Sequence, residues 1–129
     1  MTRARALQVV LGLVGLLFVA SAYPLVLFVR ADPAMSMMFS LYVTLGVFLL
    51  LAIRKPSESR NLIAFTAWSS FAHAGVMGLQ AWRNMIARGE LVGVALLVVI
   101  GVTLLALAPA KAHPERAQPL AAAEVPARR

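Results

Sequence analysis

Residues 62–82 read LIAFTAWSSFAHAGVMGLQAW. No Asp, Glu, Lys or Arg interrupts these 21 residues, while Arg60 and Arg83 stand just outside them. At about 1.5 Å per residue, such a helix covers roughly the 30 Å of bilayer hydrocarbon. The stretch reads as a transmembrane helix. Three further uncharged apolar runs, residues 7–29, 35–53 and 91–108, hold 23, 19 and 18 residues. Beta spans of about ten alternating residues do not fit these runs. The connections 30–34, 54–61 and 83–90 hold five, eight and eight residues, so neighbouring helices are expected to run antiparallel. The fold class expected is all-α: an integral membrane four-helix bundle, up-down-up-down, spanning residues 1–108.

Composition points the same way. Of 129 residues, 61% are hydrophobic and 13% charged. A soluble domain is nearer half apolar and a quarter charged. This argues against a water-soluble enzyme, a nucleic-acid-binding domain and a disordered chain. The net charge of +7 comes from basic residues between and beyond the apolar runs, as in loops flanking membrane spans. Topology therefore explains the charge, and no nucleic acid partner is expected. With no cysteine, the chain has no disulfide, thiolate metal site or cysteine nucleophile.

Arg3 and Arg5 followed by Ala20-Ser21-Ala22 resemble a signal peptide and its cleavage site. The apolar run continues through Val29, however, so an uncleaved helix is the better reading. Orientation follows from the basic residues. The N-terminus, second loop and tail carry nine Lys and Arg, and the first and third loops carry three. The positive-inside rule places both termini in the cytoplasm. Residues 109–129 hold four prolines and seven alanines, and read as a disordered, basic cytoplasmic tail.

Local signals mark helix ends. Asp32-Pro33 supplies an N-cap and a first-turn proline, and Asn61 is expected to cap the third span likewise. Pro24 cannot donate to the carbonyl of Ala20, so a kink is expected there, with Ser21 answering part of the loss.

The third span alone carries a rich polar set: Thr66, Ser69, Ser70, His73 and Gln80. At about 100° per residue these fall on one stripe about 100° wide, joined by Met77. The stripe is expected to face inward. Trp68, Phe71, Gly75, Gly78 and Trp82 occupy the other face. His73 is the only ionisable side chain in the four runs and sits near mid-span, which makes it the central functional candidate.

The plainest role for His73 is structural: a neutral imidazole bonded to hydroxyls on neighbouring helices, such as Ser21, Ser36, Ser40, Tyr42, Thr44 or Thr103. Three functional roles stand beside it: contact with a quinone-like headgroup, proton or solute movement, and haem or metal ligation. Haem is poorly served, because Met77 lies on the same helix face and His113 lies beyond the last span. No cofactor is therefore predicted, with quinone or haem as the alternatives. Met35, Met37 and Met38, with Met85 on the same side, form a weak copper candidate, since thioethers bind Cu(I). Methionine as apolar filler at the start of a helix is the preferred reading.

Ser70, Ala74 and Gly78 make a small-residue ladder, and Gly12, Gly15, Gly93 and Gly101 mark further close contacts, inside a bundle or between protomers. No carboxylate lies in a span, which argues against exporters that couple to protons through a buried Glu. Ser69 and Ser70 near His73 lack the acidic residue a hydrolase would need to orient the histidine.

The segment Arg60-Asn61-Leu62-Ile63-Ala64-Phe65-Thr66-Ala67-Trp68-Ser69-Ser70-Phe71-Ala72-His73-Ala74 resembles a bacterial family of small four-span membrane proteins known only as a domain of unknown function. The Ala-Trp-Ser-Ser-x-Ala-His core carries the likeness, which extends loosely from Tyr23 to Trp82. The resemblance implies a bacterial inner-membrane protein and supplies no substrate or mechanism. The architecture is also similar to the DoxX-like four-helix proteins, an analogy of shape alone. The function expected is a non-enzymatic accessory or structural membrane subunit, in the bilayer and in a homo-oligomer or larger complex. The alternative is a binder of a hydrophobic redox ligand, or a mover of a small solute or protons, through His73.

Overall fold

The computed structural model describes residues 2–109. The disordered tail expected at residues 109–129 lies outside the described residues, apart from Pro109. The described residues form five α-helices: α1 Arg3–Ala20, α2 Ala22–Phe28, α3 Pro33–Ala52, α4 Arg60–Trp82 and α5 Leu91–Leu107. A 3-10 turn, Arg88–Glu90, leads into α5. Read as spans, Arg3–Phe28, Pro33–Ala52, Arg60–Trp82 and Arg88–Leu107 are each long and apolar enough to cross a membrane. These are the four runs of the sequence, extended at their starts by two to four residues that join the helix.

Backbone chemistry sets the helix boundaries. The Asp32 carboxylate accepts from the Met35 backbone N–H at 2.9 Å, with Pro33 in the first turn, as expected. Asn61 does not cap α4. The helix already begins at Arg60, with Ser59 at the cap position and no side-chain bond there. α4 ends in a Schellman motif: Met85 N–H donates to the Gln80 carbonyl at 2.9 Å, and Asn84 N–H to Ala81 at 3.1 Å. Asn84 holds φ 55°, the left-handed conformation that motif requires. The first span breaks at one residue, Ser21, between α1 and α2. Its N–H reaches back to Phe18 at 3.1 Å, tightening the turn. The break matches the donor missing at Pro24, but the Ser21 hydroxyl makes no capping bond, contrary to the role expected of it.

Without water to expel, helices in a bilayer associate through close packing and small residues. The tightest crossing is α1 on α3. A Cβ added at Gly46 would lie 2.7 Å from the Gly15 carbonyl and from the Val19 amide. α4 crosses α5 at Gly101, where an added Cβ would meet the Phe71 ring at 2.7 Å and the Ala67 carbonyl at 3.1 Å. α1 also packs on α5, and α2 on α3. The helices therefore form a ring in the order α3, α1, α5, α4. Between α4 and α3 the ring is nearly open, because their contact is far sparser than those of the packed pairs.

Packing also differs along the bundle. Leu7 and Leu11 of α1, Leu49 and Ala52 of α3, Ile63 and Ala67 of α4, and Leu104 of α5 form a dense core in the half that carries the start of α1. Gln8 donates to the Ile53 carbonyl at 3.1 Å in this half. Arg3 donates to the Ala106 carbonyl at 2.8 Å, joining the start of α1 to the end of α5. The opposite half, with Ser21, Met35, Phe39 and Gln80, leaves an open cleft instead.

Candidate functional site

The polar stripe of α4 divides into two groups. Its buried face is Ile63, Thr66, Ala67, Ser70 and Ala74. Thr66 and Ser70 are thus held in the close helix contact. Ser69, His73, Met77 and Gln80 lie beside that face and line cavities. Gly78 of the small-residue ladder lies apart, since a Cβ added there would meet nothing within 4 Å.

The serine and threonine hydroxyls of α3, α4 and α5 satisfy themselves locally. Thr66 donates to Leu62, and Ser69 and Ser70 both donate to the Thr66 carbonyl, within α4. Ser36, Ser40 and Thr44 do the same in α3, and Thr103 in α5. Among the described residues, no side-chain hydrogen bond joins His73 to a neighbouring helix. The cross-helix bonds expected of a structural His73 are not formed: Ser36, Ser40, Thr44 and Thr103 each reach a carbonyl one turn back on their own helix, and Ser21 and Tyr42 make no hydrogen bond to it.

His73 instead meets an aromatic side chain across the α3–α4 gap. Its ring lies edge-on to Tyr42, with centroids 5.7 Å apart and planes at 73°. Tyr42 in turn packs against Phe18 of α1 at 4.9 Å. Among the described residues, no fully buried side-chain nitrogen or oxygen lacks a partner. The unbonded His73 nitrogens are therefore reachable from the space beside them.

That space is two cavities meeting at Met38, Tyr42 and His73. One, of about 370 Å³, is a groove between α3 and α4 lined by Leu45, Ser69 and the rim residues Leu41, Phe48 and Phe65. Those three rim side chains are each more than half exposed, so the groove opens sideways, toward lipid in a bilayer. The other, of about 910 Å³, fills the loosely packed half of the bundle. It runs from His73 past Ser21, Met77 and Gln80 to Asp32 and Glu90 at the loops. Both volumes fall in the range of small-molecule sites.

The methionines do not converge. Met35 and Met38 line the larger cavity, whereas Met37 and Met85 are about two-thirds exposed and line neither. Among the described residues, no three His, Asp or Glu side chains gather to hold a metal ion. Tyr42 was legible in the sequence only as one hydroxyl among several. Nothing in the spacing singled out its ring as the partner of His73.

Residues 2–120 match a family described as "Family of unknown function (DUF6632)". The chain belongs to this family. The match takes in all four spans and most of the tail, and so extends the likeness first carried by the Ala-Trp-Ser-Ser-x-Ala-His core of α4. No curated protein and no solved structure matches the chain.

Proposed function

We propose that this chain is a non-enzymatic, multi-pass protein of the bacterial inner membrane that holds a small amphiphile at His73. Its spans run up-down-up-down with both termini in the cytoplasm. The nine-to-three excess of Lys and Arg on the terminal side supports that orientation. The Arg3–Ala106 and Gln8–Ile53 bonds, each tying the start of α1 to the end of another span, support the antiparallel order.

One observation carries the binding role. Every serine and threonine of α3, α4 and α5 within the spans has a hydrogen-bond partner, while His73 has none and borders a groove open to lipid. An unpaired polar group in an apolar medium costs several kcal/mol, roughly 4–8 on a cyclohexane scale. A ligand head that bonds the imidazole removes that cost. A quinone carbonyl would accept from its N–H. A haem would need a second axial donor across the iron, and Met77 shares the helix and face of His73, so an amphiphile fits better. An accessory role is compatible, with the bundle as the ligand-holding subunit of a larger assembly.

Delipidated protein tests the reading. Adding back a lipid extract of the native membrane should raise the Tm of the wild type, because a ligand bound only by the native state stabilises it. His73→Leu should show no such rise, and His73→Gln should recover part of it. Equal rises in all three would remove His73 from the role.

A further inference from the structure

The two cavities meet at Met38, Tyr42 and His73, and their linings differ in chemistry. The groove between α3 and α4 offers hydrocarbon walls, and its hydroxyls, Thr44 and Ser69, are already bonded to their own helix. The larger cavity carries polar groups, with Gln80 and Asp32 half-buried and Glu90 exposed at its mouth. Among the described residues, the Gln80 amide and the Glu90 carboxylate have no hydrogen bond or ion pair, and Asp32 is recorded with one acceptor oxygen engaged at Met35. Among the described residues, the charged side chains lining this cavity are Asp32 and Glu90. Arg30, Arg83 and Arg88 belong to the adjoining loops but do not line it.

We infer that the bound amphiphile is a long-chain cation: its positively charged, hydrogen-donating head occupies the larger cavity between His73 and the Asp32–Glu90 rim, and its tail passes Tyr42 into the α3–α4 groove. This deepens the amphiphile reading and rests on it. Charge complementarity fixes the sign of the head. An ammonium donates to the carboxylates and to the Gln80 oxygen, while a neutral His73 accepts through one ring nitrogen. A carboxylate or phosphate head would meet two like charges and no lining cation. A quinone, neutral and accepting only, would form no bond with either carboxylate. The hydrocarbon groove accounts for the tail, whose exit between Leu41 and Phe65 leads directly into lipid.

The test uses three photoreactive probes with one diazirine-bearing alkyl tail and different heads: a primary amine, an alcohol and a carboxylate. Each is added to the full chain in lipid nanodiscs, and labelled residues are mapped by peptide mass spectrometry. The amine should label the α3–α4 groove, at residues such as Leu41, Leu45 or Phe65, roughly tenfold more than the carboxylate at equal concentration, a difference of one decade in affinity. Asp32→Asn with Glu90→Gln should bring the amine down to the level of the alcohol. Asn retains the N-cap of α3, so the fold survives that change. Groove labelling that is equal for all three heads in the wild type would overturn the cationic head and leave the amphiphile reading standing. Labelling that misses the groove with every probe would overturn both.

Discussion

The His73 ring meets the Tyr42 ring edge-on, 5.7 Å between centroids, across the one helix pair of the bundle that is barely in contact. Tyr42 is braced from behind by Phe18 at 4.9 Å. The series Phe18, Tyr42, His73 therefore crosses from α1 to α4, and its last two members line both cavities. Aromatic pairs of this kind contribute about 0.5–1.5 kcal/mol each beyond their burial. Tyr42→Phe should keep both contacts and the wild-type Tm. Tyr42→Ala should lose both, lowering stability by about 1–3 kcal/mol and weakening ligand retention, both read from unfolding with and without native lipid extract. Equal behaviour of the two variants would show that the ring is not the support.

The helix crossings predict a sharp contrast among glycines. Gly46→Ala places a Cβ against backbone atoms of Gly15 and Val19, which cannot step aside. It should destabilise the bundle by about 1–3 kcal/mol. Gly75→Ala meets nothing within 4 Å, so its stability should stay within about 0.5 kcal/mol or improve slightly through helix propensity. Thermal unfolding in one detergent compares them directly. A Gly75→Ala loss as large as that of Gly46→Ala would mean that a partner covers the outer face of α4.

Asn84 holds the left-handed position that ends α4. Asn84→Gly should be neutral or mildly stabilising, since glycine adopts that conformation freely. Asn84→Val should cost about 1–2 kcal/mol, visible as a lower Tm and faster amide exchange at Met85. Identical Tm values for the two variants would contradict the assignment of the cap.

The absence of cysteine makes orientation simple to read, because each introduced thiol is the only one. Ser57→Cys lies in the second loop, and Ala31→Cys and Gly89→Cys in the first and third. With both termini cytoplasmic, a membrane-impermeant maleimide applied to spheroplasts should label the cysteines at 31 and 89. It should label the cysteine at 57 only after the membrane is opened. The reverse pattern would invert the orientation.

Much of the fold was legible because the bilayer reads length and polarity residue by residue. Four uncharged runs gave four spans, and Asp32-Pro33 gave the start of α3. Details set by neighbouring helices were not legible. Gly46 became a contact only through Gly15, which no spacing rule links to it. The 3.6-residue periodicity put Thr66, Ser70, His73 and Gln80 on one stripe, yet α5 takes one edge of that stripe and the cavities take the other. The pairing of His73 with Tyr42 depends on the opening between α3 and α4, which hydropathy does not encode. Asn61 read as a cap from residue type alone, but the helix starts two residues earlier, with Ser59 at the cap position, because nothing stops Arg60 and Asn61 from joining it.

The central claim is that the bundle holds a ligand at His73. A native mass spectrum of protein extracted gently from its own membrane tests this most directly. The wild type should carry one small amphiphile per chain, and His73→Leu should fly as bare chain while keeping its helical circular dichroism. Spectra in which wild type and His73→Leu carry the same adducts, or in which the wild type shows only whole multiples of the chain mass, would contradict the account.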